Sequence, residues 1–94
     1  MEKDLENKVA IITGACGGIG QEIAKLFDIR GIKVVLVDIN RESLNLFSEE
    51  LGQDVIIIPC DITKLTQVRQ MYSKAIEKYG NIDFLINTVG IIVP

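Results

Sequence analysis

An alternating α/β fold, with a parallel sheet covered by helices on both faces, is the class this 94-residue chain predicts. Three observations predict it. Short apolar runs recur as Val9-Ala10-Ile11-Ile12, Val34-Val35-Leu36-Val37, Val55-Ile56-Ile57-Ile58 and Phe84-Leu85-Ile86. Runs apolar at every position suit strands buried on both faces, as parallel strands are. The stretches between them repeat apolar residues at helical spacing. A glycine-rich turn, Thr13-Gly14-Ala15-Cys16-Gly17-Gly18-Ile19-Gly20, joins the first strand to the first helix.

The elements follow in order. Residues 8–13 form the first strand. Residues 18 to about 30 form the first helix, with Ile19, Ile23, Leu26 and Phe27 on one face and Gly31 as its stop. Residues 33–37 are the second strand, ending at Asp38. Asn40 can cap a second helix over residues 41 to about 51, where Leu44, Phe47 and Leu51 repeat and Gly52 follows. Residues 54–59 are the third strand. Pro59 lacks a ladder donor, so it belongs at the strand's end or on an edge. The third helix opens at Thr63 or Lys64 and runs to Tyr79, with Leu65, Val68, Met71, Tyr72, Ala75, Ile76 and Tyr79 as its apolar stripe. Gly80 stops it. Residues 82–87 are the fourth strand, and residues 88–94 are read as a tail without a further element.

The pattern β-α-β-α-β-α-β, with right-handed crossovers, gives the strand order 3-2-1-4. Ligands in such sheets bind beyond the carboxyl ends of the strands, at the switch point between strands one and four. Thr13, Asp38, Asp61 and Asn87 end or follow four different strands, so their loops converge on one rim. This is a partial Rossmann-type arrangement. No repeat or interdomain linker breaks the chain, so residues 1–94 read as one unit, a partial dinucleotide-binding domain.

Bulk composition excludes several classes. Hydrophobic residues are 48% of the chain, enough for one small core. The net charge is −3 and no basic cluster stands out, which argues against a nucleic-acid surface. No apolar stretch approaches the ~18 residues of a membrane span. The charged start, Met1 to Lys8, has no apolar core of a signal peptide, so a cytoplasmic, reduced chain is expected. Cys16 and Cys60 follow strands one and three, which lie two steps apart. At ~4.8 Å per step their separation is about 10 Å, past the ~7 Å that a disulfide spans. The chain contains no His, which removes His-based metal sites and triads. No metal ligand set is expected.

The chemistry sits on the rim. A glycine turn between strand and helix lets backbone approach a phosphate, and the helix start offers N–H donors. The turn carries two spacings at once, Gly14-x-x-x-Gly18-x-Gly20 and Gly14-x-x-Gly17-x-x-Gly20. A P-loop is excluded, because Ile19 and Gly20 stand where it needs Gly and Lys. Asp38 stands 18 residues after Gly20, where an acid accepts both hydroxyls of an adenosine ribose. A ribose 2′-phosphate would meet its charge, with no Lys or Arg at positions 14–20 or 39 to offset it. NAD is therefore preferred over NADP. Asp61 either accepts from the adenine amine or forms an Asx turn with Thr63. Ile39 and Ile62, beside the two acids, complete the adenosine side. Asn87 braces the loops or contacts a ribose, Thr13 holds the turn through its hydroxyl, and Gly90 lets backbone pass close to the cofactor. Cys16 is a small residue that fits the phosphate loop, and Cys60 a buried filler.

Assembled, these residues resemble the N-terminal part of the short-chain dehydrogenase/reductase family. Residues 13–20 match its TGxxxGIG pattern, Asp38 its NAD-selecting position, and Asp61-Ile62-Thr63 its adenine-side motif. Asn87-Thr88-Val89-Gly90 is similar to its NNAG motif, departing at Thr88 and Val89. The resemblance implies hydride transfer between nicotinamide and an alcohol or carbonyl, with a Ser, a Tyr and a Lys in Tyr-x-x-x-Lys doing the chemistry. Ile76 and Asp83 stand four residues after Tyr72 and Tyr79, so neither tyrosine fits. The chain is accordingly expected to be a cofactor-binding, N-terminal portion without catalytic residues and inactive by itself. Two alternatives stand beside this reading. One is a stand-alone NAD-binding or sensing module, or a partner subunit. The other is a methyltransferase, which would leave Asn87 and Gly90 without a role. The fourth strand, followed by Ile91-Ile92-Val93, is expected to be an exposed edge open to self-association.

Overall fold

The computed structural model describes residues 5–52 and 54–89. Four strands and three helices alternate along the chain: β1 (Val9–Thr13), α1 (Gly18–Ile29), β2 (Lys33–Asp38), α2 (Arg41–Ser48), β3 (Val55–Pro59), α3 (Leu65–Tyr79) and β4 (Phe84–Asn87). The strands form one parallel sheet in the order β3-β2-β1-β4. This is the predicted partial Rossmann fold. Thr13 pairs with Val37 on one side and with Asn87 on the other, so the ends of β1, β2 and β4 reach the rim together.

Strand alternation sorts the apolar residues onto two faces. Val9, Ile11, Val35, Val37 and Ile58 face α3 and pack with its Met71 and Ala75. Ile12, Val34 and Leu36 face α1 and α2, and pack with Ala24, Leu44 and Phe47. Every residue of β1 is buried, because strands flank it on both sides and helices cover both faces. Coverage thins toward the edges. Leu85, the β4 neighbour of Ile11, is 51% exposed on the α3 side. Phe84 turns to the other face, where its ring lies 6.5 Å from that of Phe27 on α1.

Several boundaries differ from the sequence reading. Helix α2 stops at Ser48, short of Leu51. Glu50 N–H donates to the Phe47 carbonyl and Leu51 N–H to that of Ser48, so the chain leaves the helix through tighter i to i−3 turns. Leu51 still packs on the α2 side of the core, and Gly52 N–H donates to Asp28 Oδ2 on α1. Helix α3 begins at Leu65, after Lys64. Its stripe is only partly covered, since Leu65 and Ile76 are exposed. Ile19 and Leu26 on α1 are exposed as well. Helical spacing defines a face but not what lies over it.

Strand β4 starts at Phe84 because Asp83 turns to close the start of β1. Val9 N–H donates to Asp83 Oδ2 at 2.8 Å, and Asp83 N–H donates to the Val9 carbonyl at 2.8 Å. This pair holds residues 74 positions apart. Asp83→Ala leaves the Val9 donor without its acceptor and is expected to cost ~1–3 kcal/mol. Asp83→Asn keeps a side-chain carbonyl at that place and is expected to cost less. Urea unfolding of the two variants against the parent chain checks the order.

Candidate dinucleotide site

The site is built at the carboxyl end of β1. Gly14 lies in the left-handed region at φ +68, and a Cβ there would stand 2.5 Å from Thr88 Oγ1. Gly20 is constrained harder. A Cβ on it would run into the Gly14 carbonyl oxygen and the Ala15 backbone. Helix α1 therefore starts directly on top of the turn, which no larger residue at position 20 permits. At Gly18, by contrast, a Cβ would meet nothing within 4 Å. The open space there belongs to a cleft of about 280 Å³ lined by Gly14, Gly17, Gly18, Ile19, Gly20, Asp38, Thr88 and Val89.

The turn's donors divide into two sets. Ala15 N–H donates to the Val37 carbonyl, Cys16 N–H to Asp38 Oδ2, and Gly17 N–H to the Gly14 carbonyl. Gln21 N–H begins the helical ladder by donating to the Gly17 carbonyl. Gly17 caps the helix with no side-chain bond. The N–H groups of Gly18, Ile19 and Gly20 thus have no protein partner among the described residues. They are the orphan donors of a helix start, carrying its partial positive charge, and they belong to residues that line the cleft. A phosphate fits both their chemistry and the open side of Gly18.

Asp38 does more than end β2. Its Oδ2 accepts from Cys16 N–H at 3.0 Å and its Oδ1 from Ile39 N–H at 2.7 Å. The carboxylate thereby fastens the glycine turn to β2 while still lining the cleft. Each oxygen keeps a lone pair for a further donor. Ile39 is exposed beside it. Cys60 N–H donates to the Asp38 carbonyl at 2.8 Å, tying the end of β3 to the same residue.

Thr13 and Asn87 join β1 to β4 behind the cleft. The Thr13 hydroxyl donates to Asn87 Oδ1 at 2.8 Å, and that oxygen also accepts from Val89 N–H. Asn87 therefore braces the loops. Thr88, read from the sequence as a departure in a tail, turns out to be a second brace. Its hydroxyl lies 2.8 Å from the Thr13 carbonyl and 3.2 Å from that of Gly14. Thr88 and Val89 form one wall of the cleft. Gly90 and the run Ile91-Ile92-Val93 lie outside the described residues.

The other predicted residues sit farther off. The Cys16 side chain packs toward the α1 and α2 side of the core, away from the glycine cleft. Burial, with the Asp38 charge adding to it, pushes its thiol up from 9.0. Cys60 is buried in the α3 side of the core, and its thiol is raised by the same burial and by Asp61. Both cysteines are free. Ile62 packs at the margin of the α3-side core. Asp61 forms the Asx turn: its Oδ1 accepts from Thr63 N–H at 3.0 Å and from the Thr63 hydroxyl at 2.7 Å. Its Oδ2 has no protein partner among the described residues, so the turn leaves an acceptor for a ligand. None of Ile39, Asp61 and Ile62 lines the glycine cleft.

The two Thr63 bonds, with Lys64 adding a smaller effect, hold Asp61 below its ordinary 3.8 against the opposing effect of desolvation. A carboxyl lowered on folding stabilises the turn above its unfolded value and loses that contribution as pH falls through the folded value. The Thr63 amide resonance is therefore expected to titrate with its midpoint below 3.8, the ordinary value. A two-dimensional NMR pH titration checks this.

Comparison with known proteins agrees with the fold. Residues 8–94 match the family model for short chain dehydrogenase. The chain is 40% identical to a CLA biosynthesis dehydrogenase/reductase of Lactiplantibacillus plantarum, over 98% of this chain and 33% of that protein. It is 42% identical to zerumbone synthase of Zingiber zerumbet, over 93% of this chain and 33% of that protein. Among solved structures, it superposes on a Brucella melitensis 3-ketoacyl-(acyl-carrier-protein) reductase complexed with NADH. That match has TM-score 0.83 and 38% identity, over 86% of this chain and 33% of the other. A short-chain dehydrogenase/reductase from the same organism gives TM-score 0.88 and 37% identity, over 95% of this chain and 38% of that one. The chain thus spans roughly a third of the length of these relatives. With the family model covering nearly all of it, and the glycine turn set on the sheet as described, the chain belongs to the short-chain dehydrogenase/reductase family.

Proposed function

We propose that this chain is the cofactor-binding portion of an NAD-dependent oxidoreductase that moves a hydride between nicotinamide and an alcohol or carbonyl. The observation that carries the reading is the set of N–H groups on Gly18, Ile19 and Gly20 that have no partner among the described residues, beside a cleft whose wall holds the Asp38 carboxylate. Bound there, the dinucleotide supplies the hydride carrier. The residues of this chain bind and orient it. Gly18, Ile19 and Gly20 donate to the pyrophosphate. Asp38 accepts ribose hydroxyls with its remaining lone pairs and repels a 2′-phosphate. Ile39 and Ile62 flank the adenosine, and the free Oδ2 of Asp61 is available to the adenine amine. Thr13 and Asn87 keep the floor of the cleft rigid.

The chemical step needs an acid/base group, and neither tyrosine supplies one. Tyr72 and Tyr79 pack against the α3 side of the core. Burial, with Asp54 adding to it, pushes the Tyr79 hydroxyl above its ordinary 10.0, which makes it a poorer acid. The 94 residues are accordingly expected to bind the cofactor without turning it over. A stand-alone NAD-binding module has the same site and the same expectation. Detection of hydride transfer by this chain alone would refute both.

Cofactor choice is tested by calorimetric titration. NAD is expected to bind at least ~10-fold more tightly than NADP, a difference of about 1.4 kcal/mol. Asp38→Asn removes the charge but keeps an acceptor for the turn, so it is expected to bring the two affinities within about threefold. Equal affinities in the parent chain would sink the assignment. A second expectation concerns β4, which pairs only with β1 among the described residues and carries the exposed Leu85. We expect the chain to self-associate through this edge. A single monomeric species in sedimentation at about 50 μM, well above a micromolar dissociation constant, would count against it.

A further inference from the structure

Val89 is one of the two places where this chain departs from the family's NNAG motif, and it lines the glycine cleft. An alanine there would present one side-chain carbon; valine adds two. One of the added carbons, Cγ1, leans on the glycine turn: a Cβ placed on Gly14 would stand 3.0 Å from it. The backbone behind it is held in place. Val89 N–H donates to Asn87 Oδ1 at 3.1 Å, and Thr88 N–H donates to the Thr13 carbonyl at 3.3 Å.

Val89 is nonetheless 46% exposed. Ile19, on the first turn of α1, lines the same cleft and is 69% exposed. Single exposed apolar residues are ordinary on a protein surface. These two border one cleft, beside the N–H groups of Gly18, Ile19 and Gly20, and that cleft offers an anion no Lys or Arg. A hydrogen bond from a peptide N–H strengthens where water is excluded. Apolar groups beside the donors supply that exclusion once a ligand covers them. Val89 does not fill the cleft, since about 280 Å³ stay open with it in place.

We propose that Val89 is a contact residue for the bound dinucleotide: its γ-carbons, with Ile19, form an apolar border that the ligand covers, shielding the donors of the turn from water. The proposal rests on the dinucleotide reading above. It adds to that reading a contact that the alanine of the motif is too short to make.

Calorimetric titration with NAD at several temperatures, together with methyl NMR, tests it. Val89→Ala is expected to bind NAD about fivefold more weakly, as the loss of partly covered methyl groups implies. Its heat-capacity change on binding is expected to be less negative, the mark of less apolar surface covered. The Val89 methyl resonances, assigned by their absence from the variant, are expected to shift as NAD is added to the parent chain. Ile29→Ala trims an 80% exposed residue at the far end of α1, outside the cleft, and is expected to bind NAD as the parent does. Equal or tighter binding by Val89→Ala, methyls that stay still as NAD saturates the parent, or an equal loss in Ile29→Ala would each overturn the role of Val89 while the site stands. A parent chain that binds no NAD overturns the site itself, and the role of Val89 with it.

Discussion

Helix α1 can lie where it does only because Gly20 has no side chain. The Gly14 carbonyl and the Ala15 backbone occupy the place a Cβ would take. Much of the rim follows from that contact. It brings the helix start down onto the end of β1, so the N–H groups of Gly18, Ile19 and Gly20 open on the cleft between β1 and β4. It also seats Ala24 against the sheet, within the core that α1 shares with α2. A larger residue at position 20 would lift the helix, and both the core and the cleft would change together.

Side-chain charge in the cleft does not favour an anion. Its lining holds an acid, Asp38, and no Lys or Arg. On the reading proposed above, affinity for phosphate comes from peptide dipoles, which act over short distances and depend on direction. This explains why so many bonds fix the backbone here. Asp38 holds Cys16, Gln21 holds the next carbonyl, Thr88 caps the carbonyls of Thr13 and Gly14, and Asn87 ties β4 to Thr13. With no Lys or Arg in that lining, the shape of the turn would decide how well an anion is held.

The features that were legible in the sequence are those with a period or a local spacing. Buried runs marked the strands, and the glycine turn and Asp38 stood at positions that the strand order brings to one rim. The Asn40 cap was legible because it bonds only to Ser43 N–H, three residues on. The residues that escaped notice act singly and at long range. Asp83 closes β1 from 74 positions away, and Thr88 reaches the carbonyl of Thr13 across 75. No pattern announces a bond of that kind. Gln21 was invisible for another reason: on a helical wheel it is one more polar residue, and its partner is a backbone oxygen. The early end of α2 was missed because Leu51 keeps the helical spacing although its backbone has already left the helix.

The pairing of β1 with β4 also bears on the order in which the molecule can assemble. A chain emerging from the ribosome exposes the glycine turn early, and β2 can join β1 soon afterwards. The cleft's far wall, Thr88 and Val89, is contributed after every other described element has been made. Closing a loop of that length is entropically costly, and parallel pairing rewards it late. The cleft that begins at the glycine turn is therefore closed only once the residues after β4 are in place.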